Sequence, residues 1–404
     1  MEKLIDGGSG RLGPSLEWLI NPLRREAYFE EYWEKKPLVI NRGKPDYFNL
    51  LLSFSEVDRV ITTLDRGYPN ITLKNADKPG LTHADYTLDG GALDVARVYE
   101  LFQRGSTITL AFLDTVIPEL TLLCRSLESE FSCPLQTNVY MTPAGAQGAS
   151  PHYDTHDVFV LQVAGSKRWT IFGTPVTLPL AGQEFDARVH EVGAATFEFE
   201  LKAGDVAYIP RGVAHEARST EAISLHITTG ILRYTWADFL LEFFALTSLQ
   251  DAALRKALPP GFARSEFDRT QTRETLRGLL EKAWNMSSFD AVLDGFIERF
   301  LSRCPPVLSG QLLQLARVDS LTEEDVAGAR PGVIWRVRSD GASEVIETYG
   351  RTITFPSHAG EALRFALGHR RFVIRELPGR LDDAGKLTLI RRLIREGLVW
   401  ATET

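Results

Sequence analysis

Between Thr107 and Gly230 the chain is a series of short apolar runs separated by Gly, Pro and Asp: "TLAFL", "QTNVYMT", "DVFVLQVAG", "KRWTIFG", "FEFEL", "DVAYIP" and "AISLHITTG". Many short β-rich runs with turn residues between them predict a barrel or sandwich. The flanks have a different period. Residues 15–35 place Leu16, Trp18 and Leu19, and then "YFEEYW", at helical spacing, which predicts a helix ended by Pro37; "PLVINR" follows as a strand. "FSEVDRVITTL" from Phe54 predicts another helix, with Ser55 as its N-cap and Val57, Val60 and Ile61 on one face. This opening region reads as scaffold.

After Gly230 the period returns to three and four in "TWADFLLEFFALTSL", "TRETLRGLLEKAW" and "SFDAVLDGFIERFLSRC", the last with Phe289, Val292, Leu293, Phe296, Phe300 and Leu301 in phase. Three amphipathic helices in a row form a module that packs either on the barrel or on a second subunit, a hint of dimerisation. "RCPPVLSG" reads as a linker. Beyond it, "GVIWRVRS" and "EVIETYGRTITFP" read as strands, and "AGEALRFALGH" and "DDAGKLTLIRRLIREGLV" as helices, the second turning Leu387, Ile390, Leu393 and Ile394 one way. This mixture suggests a winged-helix-like α/β unit. Its Arg391, Arg392 and Arg395 could meet phosphates, but arginines on a terminal helix more often form a solvated face.

Composition narrows the function classes. A chain of 404 residues, 44% hydrophobic and 24% charged, can bury a large core and is expected to hold more than one domain. Cys124, Cys133 and Cys304 are too few and too scattered for a disulfide framework or zinc cluster; buried thiols in a reducing cytoplasm are the simpler reading. The start, "MEKLIDGGSGRLGPSLEWLI", shows no signal peptide, and no run of about eighteen apolar residues suggests a membrane span. A net charge of -8 disfavours indiscriminate nucleic-acid binding and suits a basic protein or peptide partner.

The chemistry concentrates in "SPHYDTHDVF" and "GDVAYIPRGVAHEA". In extended backbone, residues two apart share a face, so His152 and Asp154 can grip one metal. Gly204, Pro210, Gly212 and His215 fit the second cupin motif, G-x5-P-x-G-x2-H, which supplies a third ligand; the Asn that often follows four residues later is Ser219. Two histidines and a carboxylate make the facial triad of non-haem Fe(II) oxygenases, with positions left open for co-substrate and O2. A lone His-x-Asp occurs in many strands by chance; its pairing with the distal motif favours ligands over surface polar residues. His156 and Asp157 lie near enough to compete, with substrate contact or support of the ligands the better roles for His156. His190 and His226 read as structural, and His83, His358 and His369 as peripheral.

With these residues in view, the sequence resembles the JmjC-type 2-oxoglutarate oxygenases of the cupin superfamily, and among them the ribosomal oxygenase group. The resemblance rests on "FEEYWEKKPLVINRG", "NVYMTPAGAQGASPHYDTHDVFVLQVAGSKRW" and "AGDVAYIPRGVAHEA". It implies a mainly β catalytic core, a double-stranded β-helix or cupin JmjC barrel, over residues 1–232 with the barrel proper at about 107–232. It further implies an α-helical dimerisation-type module at 233–305 and a winged-helix-like C-terminal domain at 310–404. Fe(II) on His152, Asp154 and His215 would be chelated by 2-oxoglutarate, with Lys167 of "GSKRW" holding the co-substrate's distal carboxylate. Tyr140 and Asn138, two apart on one strand, would line the same pocket, or are ordinary strand residues. Arg168 should face away. "TPAGAQGAS" would be a flexible loop over the site.

The resemblance implies oxidative decarboxylation of 2-oxoglutarate to succinate and CO2, coupled to hydroxylation of an unactivated C–H. The expected substrate is a β-carbon of a histidine or arginine in a basic ribosomal protein, in the cytoplasm; the sequence does not choose between the two residue types. Peptide natural-product tailoring keeps the chemistry and changes the substrate, and histone demethylation is a weaker enzymatic alternative. A non-catalytic cupin binding module is the reading from another class.

Overall fold

The computed structural model describes residues 14–64, 67–286 and 288–402; the sequence start at residues 1–13, read above as carrying no signal peptide, lies outside them. Ten strands build the β core: β1 (Leu38–Ile40), β2 (Ile71–Lys74), β3 (Thr107–Ala111), β4 (Leu135–Thr142), β5 (Asp157–Ala164), β6 (Ser166–Ile171), β7 (Phe197–Lys202), β8 (Val206–Ile209), β9 (His215–Ser219) and β10 (Ser224–Ile231). They form a seven-stranded sheet in the order β1-β8-β5-β10-β4-β3-β2 and a three-stranded sheet in the order β7-β6-β9. All their pairings are antiparallel.

The inner faces of the two sheets meet. Val158 and Val160 of β5 and Ala207 and Ile209 of β8 pack with Trp169 and Ile171 of β6 and Leu201 of β7 in one buried cluster. Strand alternation sends these residues to one side, and the intervening Phe159 and Tyr208 to the other, where they pack in tilted, edge-on and stacked contacts with Tyr28, Trp33 and Phe131. Because both faces are covered, β5 reads as an unbroken apolar run rather than an alternating one. Two glycines of the cupin motif are required by backbone approach. A Cβ on Gly204 would lie 1.9 Å from the Lys44 carbonyl oxygen, and one on Gly212 2.0 Å from that of Val176; both residues have positive φ.

Local readings are corrected in the opening region. The helix expected over 15–35 is two, Leu16–Ile20 and Arg25–Glu31. Pro22 separates them, because it has no N–H to donate and excludes Asn21 from helical backbone. The helix Phe54–Thr63 is capped by Ser53, not Ser55: the Ser53 hydroxyl accepts from the Glu56 amide while Glu56 reaches back, a reciprocal capping box. Val57, Val60 and Ile61 are its buried face, as expected. Within this region β1 forms one edge of the large sheet, and β2, just beyond it, forms the other.

Contacts divide the chain into two compact units, one of residues 1–232, 306–334 and 358–404, the other of 233–305 and 335–357. Besides the barrel, the first unit holds β11 (Val326–Ala329), which pairs with two later short strands at Phe372–Val373 and Val399–Ala401, and the helices Gly360–Gly368 and Asp383–Arg395. In the last helix Leu389, Ile390, Leu393 and Ile394 are buried, and Leu387 is half-buried. Arg391 donates to the Asp319 and Leu321 carbonyls, Arg395 pairs with Asp319 and Arg392 with Glu396. The second unit holds the helices Trp236–Gln250, Thr270–Met286 and Phe289–Ser302 and a sheet of β12 (Arg336–Ser339), β13 (Ser343–Thr348) and β14 (Arg351–Pro356). "EVIETYGRTITFP" is therefore a hairpin turning at Tyr349 and Gly350.

Candidate metal centre and co-substrate cavity

His152 and Asp154 lie in the extended lead-in to β5, outside the regular strand, and His215 opens β9. One antiparallel bridge sets them together: His152 donates its amide to the His215 carbonyl at 3.1 Å, and His215 returns the bond at 2.8 Å. Gly212 donates to the Asp154 carbonyl at 3.0 Å. The intervening Tyr153 is buried the opposite way, its hydroxyl donating to the Gln183 carbonyl at 2.9 Å. Local alternation thus does what a continuous strand would have done.

The imidazoles are held in one tautomer. His152 Nδ1 lies 2.8 Å from the Ser150 carbonyl and His215 Nδ1 3.0 Å from that of Val213. A carbonyl can only accept, so both Nδ1 atoms carry hydrogen and both Nε2 lone pairs are free. These lone pairs converge on the carboxylate: His152 Nε2 is 3.9 Å from Asp154 Oδ1, and His215 Nε2 is 3.8 Å from Oδ2. The separations exceed hydrogen-bonding distance. One ligand atom from each residue lies within 4.8 Å of the others, and no second such group occurs among the described residues. Burial, with the nearby His152, pushes His215 below the usual imidazole value and favours its neutral form.

The triad borders a cavity of about 170 Å³ between the two sheets. Deeper in, β6 places Lys167 and Trp169 on the cavity wall and turns Arg168 outward, as strand alternation requires. Lys167 is 4% exposed, and its ammonium has no ion-pair partner among the described residues. Burial pulls it down to about 7. Tyr140 lines the opposite wall, its phenol pushed up to about 12 by burial and by the charge of Asp154. Asn138 is not in the cavity wall; its side chain hydrogen-bonds Tyr140 from behind, and its own carbonyl oxygen is buried without a partner.

Other sequence candidates take structural places. Asp157, fully buried, accepts from the Tyr208 hydroxyl at 2.8 Å and pairs with Arg211 at 2.8 Å, which in turn binds Glu34. It braces the segments that carry Asp154 and His215. His156 packs its ring on Gly230, where a Cβ would be 2.5 Å from it. His190 accepts the Asp186 amide and stacks on Phe185. The loop "TPAGAQGAS" is pinned: Ala146 donates to Ser219 Oγ at 2.9 Å, Gly145 to the Thr220 carbonyl at 2.7 Å, and Gln147 to Glu216 at 2.8 Å. Ser219, at the place of the motif's frequent Asn, is one of its anchors.

Sequence reasoning missed His226, Trp169, Thr72 and Thr109 as wall residues. Register across the sheet aligns Thr72, Thr109, Tyr140 and His226 in one row through β2, β3, β4 and β10. The β4–β10 pairing that aligns Tyr140 with His226 is not visible in either strand alone, so no local signal marks that part of the row.

Residues 114–239 match the JmjC domain family. Among curated relatives, a Drosophila mojavensis protein named bifunctional lysine-specific demethylase and histidyl-hydroxylase NO66 is 30% identical over 340 residues, 76% of this chain and 38% of that protein. Ribosomal oxygenase 1 of Gallus gallus is 31% identical over 334 residues, 77% of this chain and 55% of its own. The chain thus spans less than two thirds of the curated relatives it matches. Among solved structures, Escherichia coli YcfD superposes with a TM-score of 0.57 at 18% identity over 94% of this chain and 98% of that one. YcfD was also solved, as a ribosomal oxygenase, with cobalt and 2-oxoglutarate, and that form matches with a TM-score of 0.54 at 17% identity over 95% of this chain and 99% of that one. Residues 114–239 thus belong to the JmjC domain family, the chain shares its fold with YcfD, and over three quarters of its length it is similar to proteins named ribosomal oxygenase and histidyl-hydroxylase.

Proposed function

We propose that the protein is an Fe(II)- and 2-oxoglutarate-dependent hydroxylase acting on a side-chain β-carbon, of histidine or arginine, in a basic ribosomal protein. The observation that carries this reading is the convergence of two Nε2 lone pairs and one carboxylate beside a buried, unpaired ammonium. The donor set suits Fe(II), with two imidazoles and a carboxylate on one side of the ion and the cavity on the other. The lone ammonium suits an anion: a buried cation is costly until a carboxylate faces it. Iron and 2-oxoglutarate would together supply oxidation of an unactivated C–H by O2, with succinate and CO2 as co-products.

The chain's residues hold and shield that chemistry. His152, Asp154 and His215 would bind the metal, with their Nδ1–H bonds to Ser150 and Val213 fixing the ring planes. Lys167 would take the distal carboxylate by a charge-assisted hydrogen bond, with Tyr140, oriented by Asn138, beside it. Val158, Val160, Trp169 and Ala217 form apolar wall that excludes water from the reacting centre. Names of the relatives, ribosomal oxygenase and histidyl-hydroxylase, support the substrate class.

The helices of 233–305 serve, in this reading, as a homodimerisation module, supported by apolar side chains they leave uncovered: Trp236, Leu241 and Trp284 are 74%, 72% and 77% exposed. The winged-helix-like end, expected over 310–404, would comprise 310–334 and 358–404, since 335–357 belongs to the helical unit; the arginines of its last helix bond to their own chain, so nucleic acid is not assigned as a partner. Three buried free thiols support a reducing, cytoplasmic setting, and no described helix is long and apolar enough to cross a membrane.

The test is incubation of the protein with Fe(II), 2-oxoglutarate and separated ribosomal proteins. One protein gaining a single oxygen, with succinate formed in step, is the expected result. Succinate formation that no ribosomal protein stimulates would reject the substrate class.

A further inference from the structure

Lys167 is not alone at the deep end of the cavity. His226 of β10, 3% exposed, lines the cavity from the large sheet, opposite Lys167, which lines it from the small one. Its ring lies flat on Tyr140, centroids 4.8 Å apart at 4° between planes, and edge-on to Trp169 at 6.0 Å. Stacking on one face and an edge contact on another fix the ring plane. Neither ring nitrogen has a hydrogen-bond partner among the described residues, and Nδ1 is wholly sealed from solvent. A core histidine normally satisfies its nitrogens. Burial, and after it the Lys167 charge, pushes His226 well below the usual imidazole range and disfavours its charged form.

Charge is divided along the cavity. The wall's carboxylates are Asp154, in the triad, and Glu216, held by Gln147. The triad side is the more open, His152 and Asp154 having side chains 35% and 28% exposed. Lys167 and His226 are nearly closed from solvent. An ammonium without an ion-pair partner, an imidazole without a hydrogen-bond partner and the Tyr140 phenol line one cavity, and each of the three can donate to an anion. A carboxylate has two oxygens and about four lone-pair sites, more than one ammonium uses.

Building on the co-substrate reading above, we propose that His226 is a second anchor for the distal carboxylate, its ring N–H donating to one oxygen while the Lys167 ammonium takes the other. The neutral ring is sufficient for this, since it carries one N–H. The consequence is selectivity. Two donors from opposed sheets, fixed by Tyr140 and Trp169, require a carboxylate at that place, so 2-oxo acids that end in a methyl group gain nothing from them.

The test compares wild type, His226→Phe and His226→Asn by anaerobic titration of Fe(II)-loaded protein with 2-oxoglutarate and with 2-oxobutanoate, which lacks the distal carboxylate, and by calorimetric titration of metal-free protein with succinate. Phe keeps the stack and removes the donor; Asn keeps a donor and loses the stack, and guards against misfolding of the Phe variant. The expected result is 2-oxoglutarate and succinate binding about tenfold to a hundredfold weaker in His226→Phe, an intermediate loss in His226→Asn, and unchanged 2-oxobutanoate binding. Undiminished dicarboxylate binding by the folded variants, beside a wild type that binds, would overturn the second anchor alone. Equal losses for both oxo acids would overturn it too, by showing general damage to the cavity. Failure of wild type to bind any of the three would overturn the co-substrate reading together with it.

Discussion

The barrel unit and the helical unit handle apolar surface in opposite ways. In the barrel, Val158, Val160, Trp169, Ile171, Leu201, Ala207 and Ile209 face inward, and the covered outer side of β5 meets an aromatic cluster. The helical unit buries Phe243, Ala283, Val292 and Phe296 but leaves Trp236, Leu240, Leu241, Leu249 and Trp284 mostly in solvent. A filled interior can spare a small polar cavity, because the surrounding close packing holds Lys167 and His215 in place at the cost of burying them. An apolar outer face has no such internal use. Under the proposed function, chemistry and self-association would be carried by different residues, so each should be removable without the other.

The strongest way to break that separation is at the triad. Asp154→Ala or His215→Ala should abolish iron binding and turnover while leaving the circular-dichroism spectrum and oligomeric state unchanged; normal turnover in either variant would remove the assignment. Next, Leu241→Glu combined with Trp284→Glu should convert a dimer to a monomer in sedimentation velocity, with 2-oxoglutarate binding retained. A variant that stays dimeric would place the interface elsewhere.

Lys167→Ala should raise the 2-oxoglutarate requirement about tenfold to a hundredfold with little change in iron affinity, and an unchanged requirement would move the anchor. The smallest effect is that of pH. Burial puts Lys167 at about 7, far below a free lysine, so it is mostly charged only below that pH. The carboxylate needs the charged form. Affinity for 2-oxoglutarate should therefore be full below about pH 7 and fall by up to tenfold per unit above it. In the unliganded fold the sign reverses: the buried ammonium costs stability most below pH 7, and the cost fades as pH rises toward the unfolded lysine value. Lys167→Met should flatten both profiles.

The β core and the triad were legible in the chain because each has a local signature. Strand runs alternate or stay apolar, the helices recur at three and four, and a His-x-Asp with a spaced Gly, Pro, Gly and His needs no long-range knowledge. The resemblance pointed to Lys167 through "GSKRW", and its side chain does line the cavity, while alternation turns Arg168 outward. What stayed hidden depends on register. His226 is one histidine in an apolar strand until β10 pairs with β4 and lays it on Tyr140. β2 is only four residues, and it is a strand because β3 pairs with it. The sheet of residues 336–356 is near the C-terminal helices in sequence, yet it belongs to the helical unit, where Arg336 ties it to Asp294 at 2.7 Å.

The central claim is that the triad and Lys167 form one site for Fe(II) and 2-oxoglutarate. Its most direct test is anaerobic titration of the purified protein with Fe(II) and then 2-oxoglutarate, following the weak visible metal-to-ligand charge-transfer band of the chelate. The account predicts that the band appears in the wild type and is lost in His152→Ala. Well-folded, metal-loaded protein that develops no band would contradict it, and would leave a cupin barrel that binds without catalysing.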